Sequence, residues 1–333
     1  MVEEKLREAA SLPKTMRAAV VAAPGKLEIA NVDMPAPGPG EMLVRLEGCG
    51  VCASNIPQWE GREWFSYPME PGGLGHEGWG EVVEVGENVT GFKPGDRVAF
   101  LSGHAYAEYD LARAEAAVKL PQNLAGKPLP GEPLGCAMNI FARSGIVRGQ
   151  TVAIVGIGFL GALLTKLCAD AGARVIAISR REFSLEYARS MGAEILIPMD
   201  DHWQIIEKVK AATHDRMCDV VIEAVGKQWP LDLSAELTKE RGRLVIAGYH
   251  QDGPRQVNMQ LWNWRGLDVI NAHEREEAIY VQGIESAVRA VSEGRLNPYP
   301  LFTHEFPLER LGEALDMTRD RPDGFMKALV RMN

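Results

Sequence analysis

The chain has 333 residues, 46% of them hydrophobic and 24% charged, which suits roughly two folded domains able to bury a core without staples. Its 36 Lys and Arg against 45 Asp and Glu give a formal charge of −9, which repels a phosphate backbone and argues against nucleic acid as a partner. No apolar run reaches the roughly 18 residues of a membrane span, the start Met1-Val2-Glu3-Glu4 is unlike a signal peptide, and the five cysteines are scattered; no membrane association and a reducing, cytoplasmic setting are expected.

In chain order, residues 1–15 read as an N-terminal leader with amphipathic helical spacing. From Met16 to about residue 135, short alternating runs such as Glu81-Val-Val-Glu-Val sit between turn signals such as Lys93-Pro-Gly-Asp, the pattern of a β-rich, loop-heavy domain. The texture changes at Thr151. Continuous apolar runs at 152–155, 174–178, 195–197, 219–222 and 243–247, with a sixth at 268–271, alternate with helix-length segments. Strands buried on both faces read as such unbroken runs, so the expectation is an α/β unit with a doubly wound, parallel six-stranded sheet. Helix-like text follows at 277–292 and 308–319, and the tail is expected to return to the first domain.

Gly156-Ile157-Gly158-Phe159-Leu160-Gly161 directly follows the first of those runs and opens a helix. In that context the first glycine permits a tight turn, the second lets a pyrophosphate approach the backbone, and the third lets helix and strand pack closely. A dinucleotide is therefore expected over Gly156, Gly158, Phe159, Leu160 and Gly161. The second run ends in Ser179-Arg180-Arg181, with no carboxylate before Glu182. A hydroxyl followed by guanidinium groups suits a 2′-phosphate, which a carboxylate would repel, so NADP(H) is expected over NAD(H).

Three fragments carry metal-ligand chemistry: Gly50-Val-Cys52-Ala-Ser54-Asn55, Gly75-His76-Glu77-Gly78 and Gly131-Glu132-Pro-Leu-Gly-Cys136. Cysteine, histidine and carboxylate suit zinc, and three protein ligands leave a position open for chemistry.

With these motifs in that order, the chain resembles the zinc-containing branch of the medium-chain dehydrogenase/reductase superfamily, which includes alcohol, sorbitol and threonine dehydrogenases. The resemblance covers nearly everything from Met16 onward. It implies a groES-like β-rich catalytic domain from residues 16–133 and 273–333, and a Rossmann domain at 134–272. It further implies one catalytic Zn²⁺ held by Cys52, His76, Glu77 and Glu132, with Cys136 as the runner-up fourth ligand. The family's four-cysteine structural zinc lobe has no counterpart here, so no structural zinc is expected. Ser54 matches the hydroxyl that shuttles the substrate proton, and Lys327 is placed to neutralise the cofactor pyrophosphate. Asn55 stands where the family has an aspartate that orients the histidine, and Pro57 where some members have a relay histidine.

The implied reaction is reversible hydride transfer between NADP(H) and a small-molecule alcohol or polyol/carbonyl pair. Trp59, Trp64, Phe65 and Tyr67 are expected around the substrate, and Trp262 and Trp264 in the contact of a homodimer or homotetramer. Two rivals stay open: a zinc-free NADPH-dependent quinone or enone reductase, and a catalytically silent NADPH-binding protein.

Overall fold

The computed structural model describes residues 12–332. Residues 1–11 of the expected leader lie outside the described residues, and at Thr15 the chain already enters a strand.

The middle of the chain builds a parallel six-stranded sheet. Its spatial order is Ile195–Pro198, Arg174–Ser179, Thr151–Val155, Cys218–Glu223, Thr238–Ile246 and Asp268–Asn271. The winding reverses between Thr151–Val155 and Cys218–Glu223, and the crevice beyond the carboxyl ends of those two strands is where such sheets bind ligands. Val152 to Val155 and Val175 to Ile178 are wholly buried, which is why each reads as an unbroken apolar run. One strand departs from expectation. Thr238–Ile246 starts five residues ahead of the apolar run, because Thr238 pairs with Cys218 before a register shift, and the polar residues between carry no hydrophobic signal.

The β-rich part is organised around Glu41–Gly50. That strand pairs antiparallel with Gly78–Val85, Tyr109–Arg113 and Lys327–Arg331, and Lys327–Arg331 lies parallel to Phe302–Pro307. The tail thus returns to the first sheet. A separate hairpin, Thr15–Ala23 with Lys26–Asp33, completes this part.

Helices Gly131–Ser144 and Glu277–Ser292 join the two sheets, because one hydrophobic cluster contains Trp79 and Ala99, Leu134 and Ile140, Ile284 and Val288, and Val152 and Ile154. Burial of that continuous apolar surface fixes the two sheets against each other and so the shape of the cleft between them. Among the described residues no helix is long and apolar enough to cross a membrane.

Candidate metal centre and cofactor cleft

The phosphate-binding turn is built as its glycines demand. Gly156 has φ 102°, which L side chains rarely adopt, and a Cβ on Gly161 would stand 2.1 Å from the Gly156 carbonyl oxygen. Helix Phe159–Asp170 then begins with Gly158 as its N-cap, where no side chain caps the first turn. Its leading N–H groups and positive dipole end are offered to an anion.

Ser179 ends the neighbouring strand, and Arg180 beyond it is exposed. The guanidinium of Arg181 donates to the Phe325 carbonyl and lies 3.7 Å from Met326 Sδ. Burial, then the charge of Arg321, lowers the Arg181 pKa. All of these residues line one cleft of about 1340 Å³, together with Cys52, Ser54, His76, Glu77, Glu132, Cys136 and Lys327.

The sheet itself explains how distant fragments meet. Cys49 stands opposite Gly78 in the antiparallel pair of Glu41–Gly50 with Gly78–Val85. The residues just past the first strand and just before the second therefore emerge side by side. Gly50 N–H donates to Glu77 O at 3.2 Å, and a Cβ on Gly50 would fall 1.8 Å from Glu77 Oε2. Only glycine leaves room for that carboxylate. Ligand atoms of Cys52, His76 and Glu77 lie within 4.8 Å of one another.

His76 Nδ1 donates to the Leu74 carbonyl at 2.9 Å, which leaves Nε2 for the cleft side. Leu74 has φ 73°, a left-handed conformation that costs a leucine roughly 1–2 kcal/mol. Asn55 makes no hydrogen bond to His76; its Nδ2 donates at 3.1 Å to that same Leu74 carbonyl, while its Oδ1 accepts from Tyr106 Oη at 3.1 Å. The neutral amide thus steadies the acceptor rather than the imidazole. Burial pulls the His76 pKa down, but its hydrogen bond to Cys52 and the charges of Cys52, Glu132 and Glu77 outweigh it and push it up to about 10. A sulfur, an imidazole nitrogen and a carboxylate oxygen gathered this closely are the donor types zinc takes, so this donor set fits zinc.

Glu77 is wholly buried and faces Lys327, whose Nζ stands 2.6 Å from Oε1, to which it donates, and 2.6 Å from Oε2. Oε2 makes this ion-pair contact but accepts no hydrogen bond. Lys327 thus meets Glu77 beside the Cys52 and His76 ligand atoms. Its ammonium also lies 5.2 Å from the centroid of Phe159.

Glu132 and Cys136 line the same cleft but stand outside the three-residue group. Both are held by a residue sequence reasoning missed. Tyr280 Oη donates to Glu132 Oε1 at 2.5 Å and lies 2.7 Å from Cys136 Sγ. Burial raises the Glu132 pKa and, reinforced by Glu132, holds the Cys136 thiol well above its ordinary value. Tyr280 sits in an ordinary amphipathic helix, and nothing local marks it.

Of the nominated aromatics, Trp64 and Phe65 line the cleft, whereas Trp59 is buried with Nε1 donating to Asp316 at 2.8 Å, and Tyr67 donates to the Gln58 carbonyl. Ser54 lines the cleft two residues from Cys52. Pro57 is buried in the first turn of helix Ile56–Glu60.

Comparison with known proteins finds relatives along most of the chain. The family described as zinc-binding dehydrogenase matches residues 160–284, and that described as alcohol dehydrogenase GroES-like domain matches residues 38–131. Sorbitol dehydrogenase of Gallus gallus is 29% identical over 343 residues, covering 91% of this chain and 93% of that protein. L-threonine 3-dehydrogenase of Pyrococcus abyssi is 28% identical over 330 residues, covering 88% and 92%. A Sinorhizobium meliloti 1021 crystal structure described as a zinc-binding dehydrogenase bound to NADP superposes with a TM-score of 0.81 at 26% identity, covering 96% of this chain and all of that one.

Proposed function

Because the chain belongs to the zinc-containing medium-chain dehydrogenase/reductase superfamily, we propose that it is a zinc-dependent oxidoreductase linking NADP(H) to an alcohol or polyol and its carbonyl partner. The observation that carries this reading is one cleft shared by the Cys52, His76 and Glu77 group, the Gly156-to-Gly161 turn and Ser179-Arg180-Arg181. In this reading residues 16–133 and 273–333 form the groES-like catalytic domain, and 134–272 the Rossmann domain.

Cys52, His76 and Glu77 would hold the metal. Glu132, kept in place by Tyr280 at 2.5 Å, would supply the further carboxylate. Bound zinc supplies Lewis acidity to a substrate oxygen, and the nicotinamide supplies or accepts hydride. Ser54 Oγ takes or returns the hydroxyl proton, since it lines the cleft beside Cys52. Lys327 Nζ pairs with the buried Glu77 carboxylate at 2.6 Å. Arg180 and Arg181, with Ser179, would receive the 2′-phosphate. Trp64 and Phe65 would form an apolar wall for the substrate carbon chain. Trp264 is 84% exposed, and helix Met259–Arg265 buries none of its residues, a face suited to a second copy of the chain in a homodimer or homotetramer.

The test is an NADP⁺-linked screen of alcohols and polyols on zinc-loaded protein, read by NADPH absorbance, with NAD⁺ as the paired cofactor. A strong NAD⁺ preference overturns the cofactor half of the reading. Undiminished turnover by zinc-free C52A overturns the metal half and favours a zinc-free reductase.

A further inference from the structure

The segment between strand Thr238–Ile246 and helix Met259–Arg265 is built on a buried carboxylate that the proposed reaction does not use. Glu223, wholly buried, ends strand Cys218–Glu223. Its Oε1 accepts the N–H groups of Val225 and Gly226 at 2.8 and 2.7 Å, and its main-chain carbonyl accepts those of Ala247 and Gly248, both at 2.8 Å. One residue thus ties together the loops that follow two neighbouring strands. A Cβ on Gly248 would stand 2.2 Å from the Gly226 nitrogen and 2.6 Å from Glu223 Oε2, so the loops meet without room for a side chain.

The chain beyond Gly248 is then fixed by three side chains. Arg255 Nε donates to His250 Nδ1 at 2.9 Å, which leaves Nε2 to donate to Glu223 Oε2 at 3.0 Å. Arg255 Nη2 also donates to the Gly226 carbonyl at 2.9 Å and pairs with Asp252, which Lys227 holds as well. Gln251 lies between His250 and Asp252, so both of its neighbours are held. Its own side chain leaves this network and crosses the cleft. Nε2 donates at 3.2 Å to the carbonyl of Ala53, the residue between Cys52 and Ser54 in the short turn beyond strand Glu41–Gly50. Asn55 of that turn is held by Leu74 and Tyr106, from the same part of the molecule as the turn. Among the described residues, Gln251 is therefore the side chain of the six-stranded-sheet part that hydrogen-bonds the turn carrying Cys52 and Ser54.

We infer that Gln251 is a positioning residue for that turn, acting from the opposite wall of the cleft, with Glu223, His250 and Arg255 as its mount. This rests on the reading of Cys52 as a metal ligand, but on neither the alcohol nor the preferred dinucleotide. An amide hydrogen bond from a freely swinging glutamine gains little, because ordering the side chain costs rotamer entropy of similar size. Holding His250 and Asp252 on either side fixes the backbone from which Gln251 reaches, and so lowers that cost. The contact is neutral and places no further charge beside the ligand atoms.

The experiment strips the protein of metal and titrates it with Co²⁺, following the thiolate-to-cobalt absorption band, for wild type, Q251A and R255K, each first shown to be folded by circular dichroism. NADPH dissociation constants are measured in parallel by quenching of tryptophan fluorescence. Q251A is expected to shift the band and weaken Co²⁺ by about 3- to 10-fold, the worth of one neutral hydrogen bond, with NADPH within about twofold of wild type. R255K, which keeps the charge but loses the fork that holds His250 and Gly226, is expected to weaken Co²⁺ in the same direction by less. The inference is overturned if Q251A keeps the wild-type band and a Co²⁺ constant within about 1.5-fold. It is also overturned if Q251A loses NADPH affinity as much as cobalt affinity, which would make Gln251 a cofactor contact. Wild-type behaviour of R255K beside a weakened Q251A overturns the mount. A wild-type protein that binds Co²⁺ without a thiolate band removes Cys52 from the metal set, and that failure of the underlying reading is seen before any variant is compared.

Discussion

At the ribose end of the cleft Arg180 is exposed and forms no ion pair among the described residues, whereas at the metal end Glu77 and Lys327 meet at 2.6 Å with only 0% and 7% of their side chains exposed. The first arrangement holds charge in readiness for an incoming anion and asks little of the fold. The second encloses opposite charges in the core, where each depends on the other for solvation. Binding capacity and stability are thus separated along one cleft, and mutations at its two ends are expected to read out differently.

The largest effect belongs to K327M. In zinc-free protein it leaves the Glu77 carboxylate buried and uncompensated, and urea unfolding is expected to show a loss of about 3–5 kcal/mol. A change below about 1 kcal/mol would show that the metal end is wetter than this contrast requires.

Y280F comes next. Removing the hydroxyl leaves Glu132 Oε1 without its 2.5 Å donor, a loss of about 1–3 kcal/mol by the same measurement. It should also lower turnover more than cofactor affinity, because Tyr280 touches the metal end alone.

D252N tests a carboxylate of the cleft wall that two cations hold. Hydrogen bonds from Lys227 and Arg255 hold the Asp252 carboxyl well below its ordinary range. A depressed carboxylate pKa contributes stability above its unfolded value of about 3.9, and that contribution is lost as pH falls below it. The melting temperature of D252N is expected about 2–4 °C below wild type at neutral pH, with the gap closing in acid. A gap that widens in acid would reverse the sign of this argument.

R180Q closes the series, with a stability change within about 0.5 kcal/mol of wild type. A large loss there would erase the distinction between the two ends.

The same contrast explains what could be read from the residues. The ribose end is local: Gly156 to Gly161 and Ser179 to Arg181 follow consecutive strands whose double-sided burial writes unbroken apolar runs. At the metal end the ligand types were legible at Cys52, His76 and Glu77, and their meeting follows from one antiparallel pairing of neighbouring strands. The support around them was not. Tyr280 reaches Glu132 across 148 residues and Lys327 reaches Glu77 across 250, and no local pattern encodes contacts of that span. Leu74 was equally silent, since a leucine with φ 73° is imposed by its surroundings rather than by its own preference. The departure at Asn55 reads differently once Leu74 is seen: the carbonyl, not the residue at 55, orients the histidine.

The 250-residue separation between Glu77 and Lys327 also sets an order of events during synthesis. At about 5–20 residues per second, a ribosome delivers the lysine some ten to fifty seconds after the glutamate. Throughout that interval the nascent chain carries Glu77 with no ammonium to meet it, and the strand Lys327–Arg331 has yet to dock on Glu41–Gly50. A translation product halted before that strand would emerge with Glu77 unpaired, so completion of the ion pair reports that synthesis has passed Lys327.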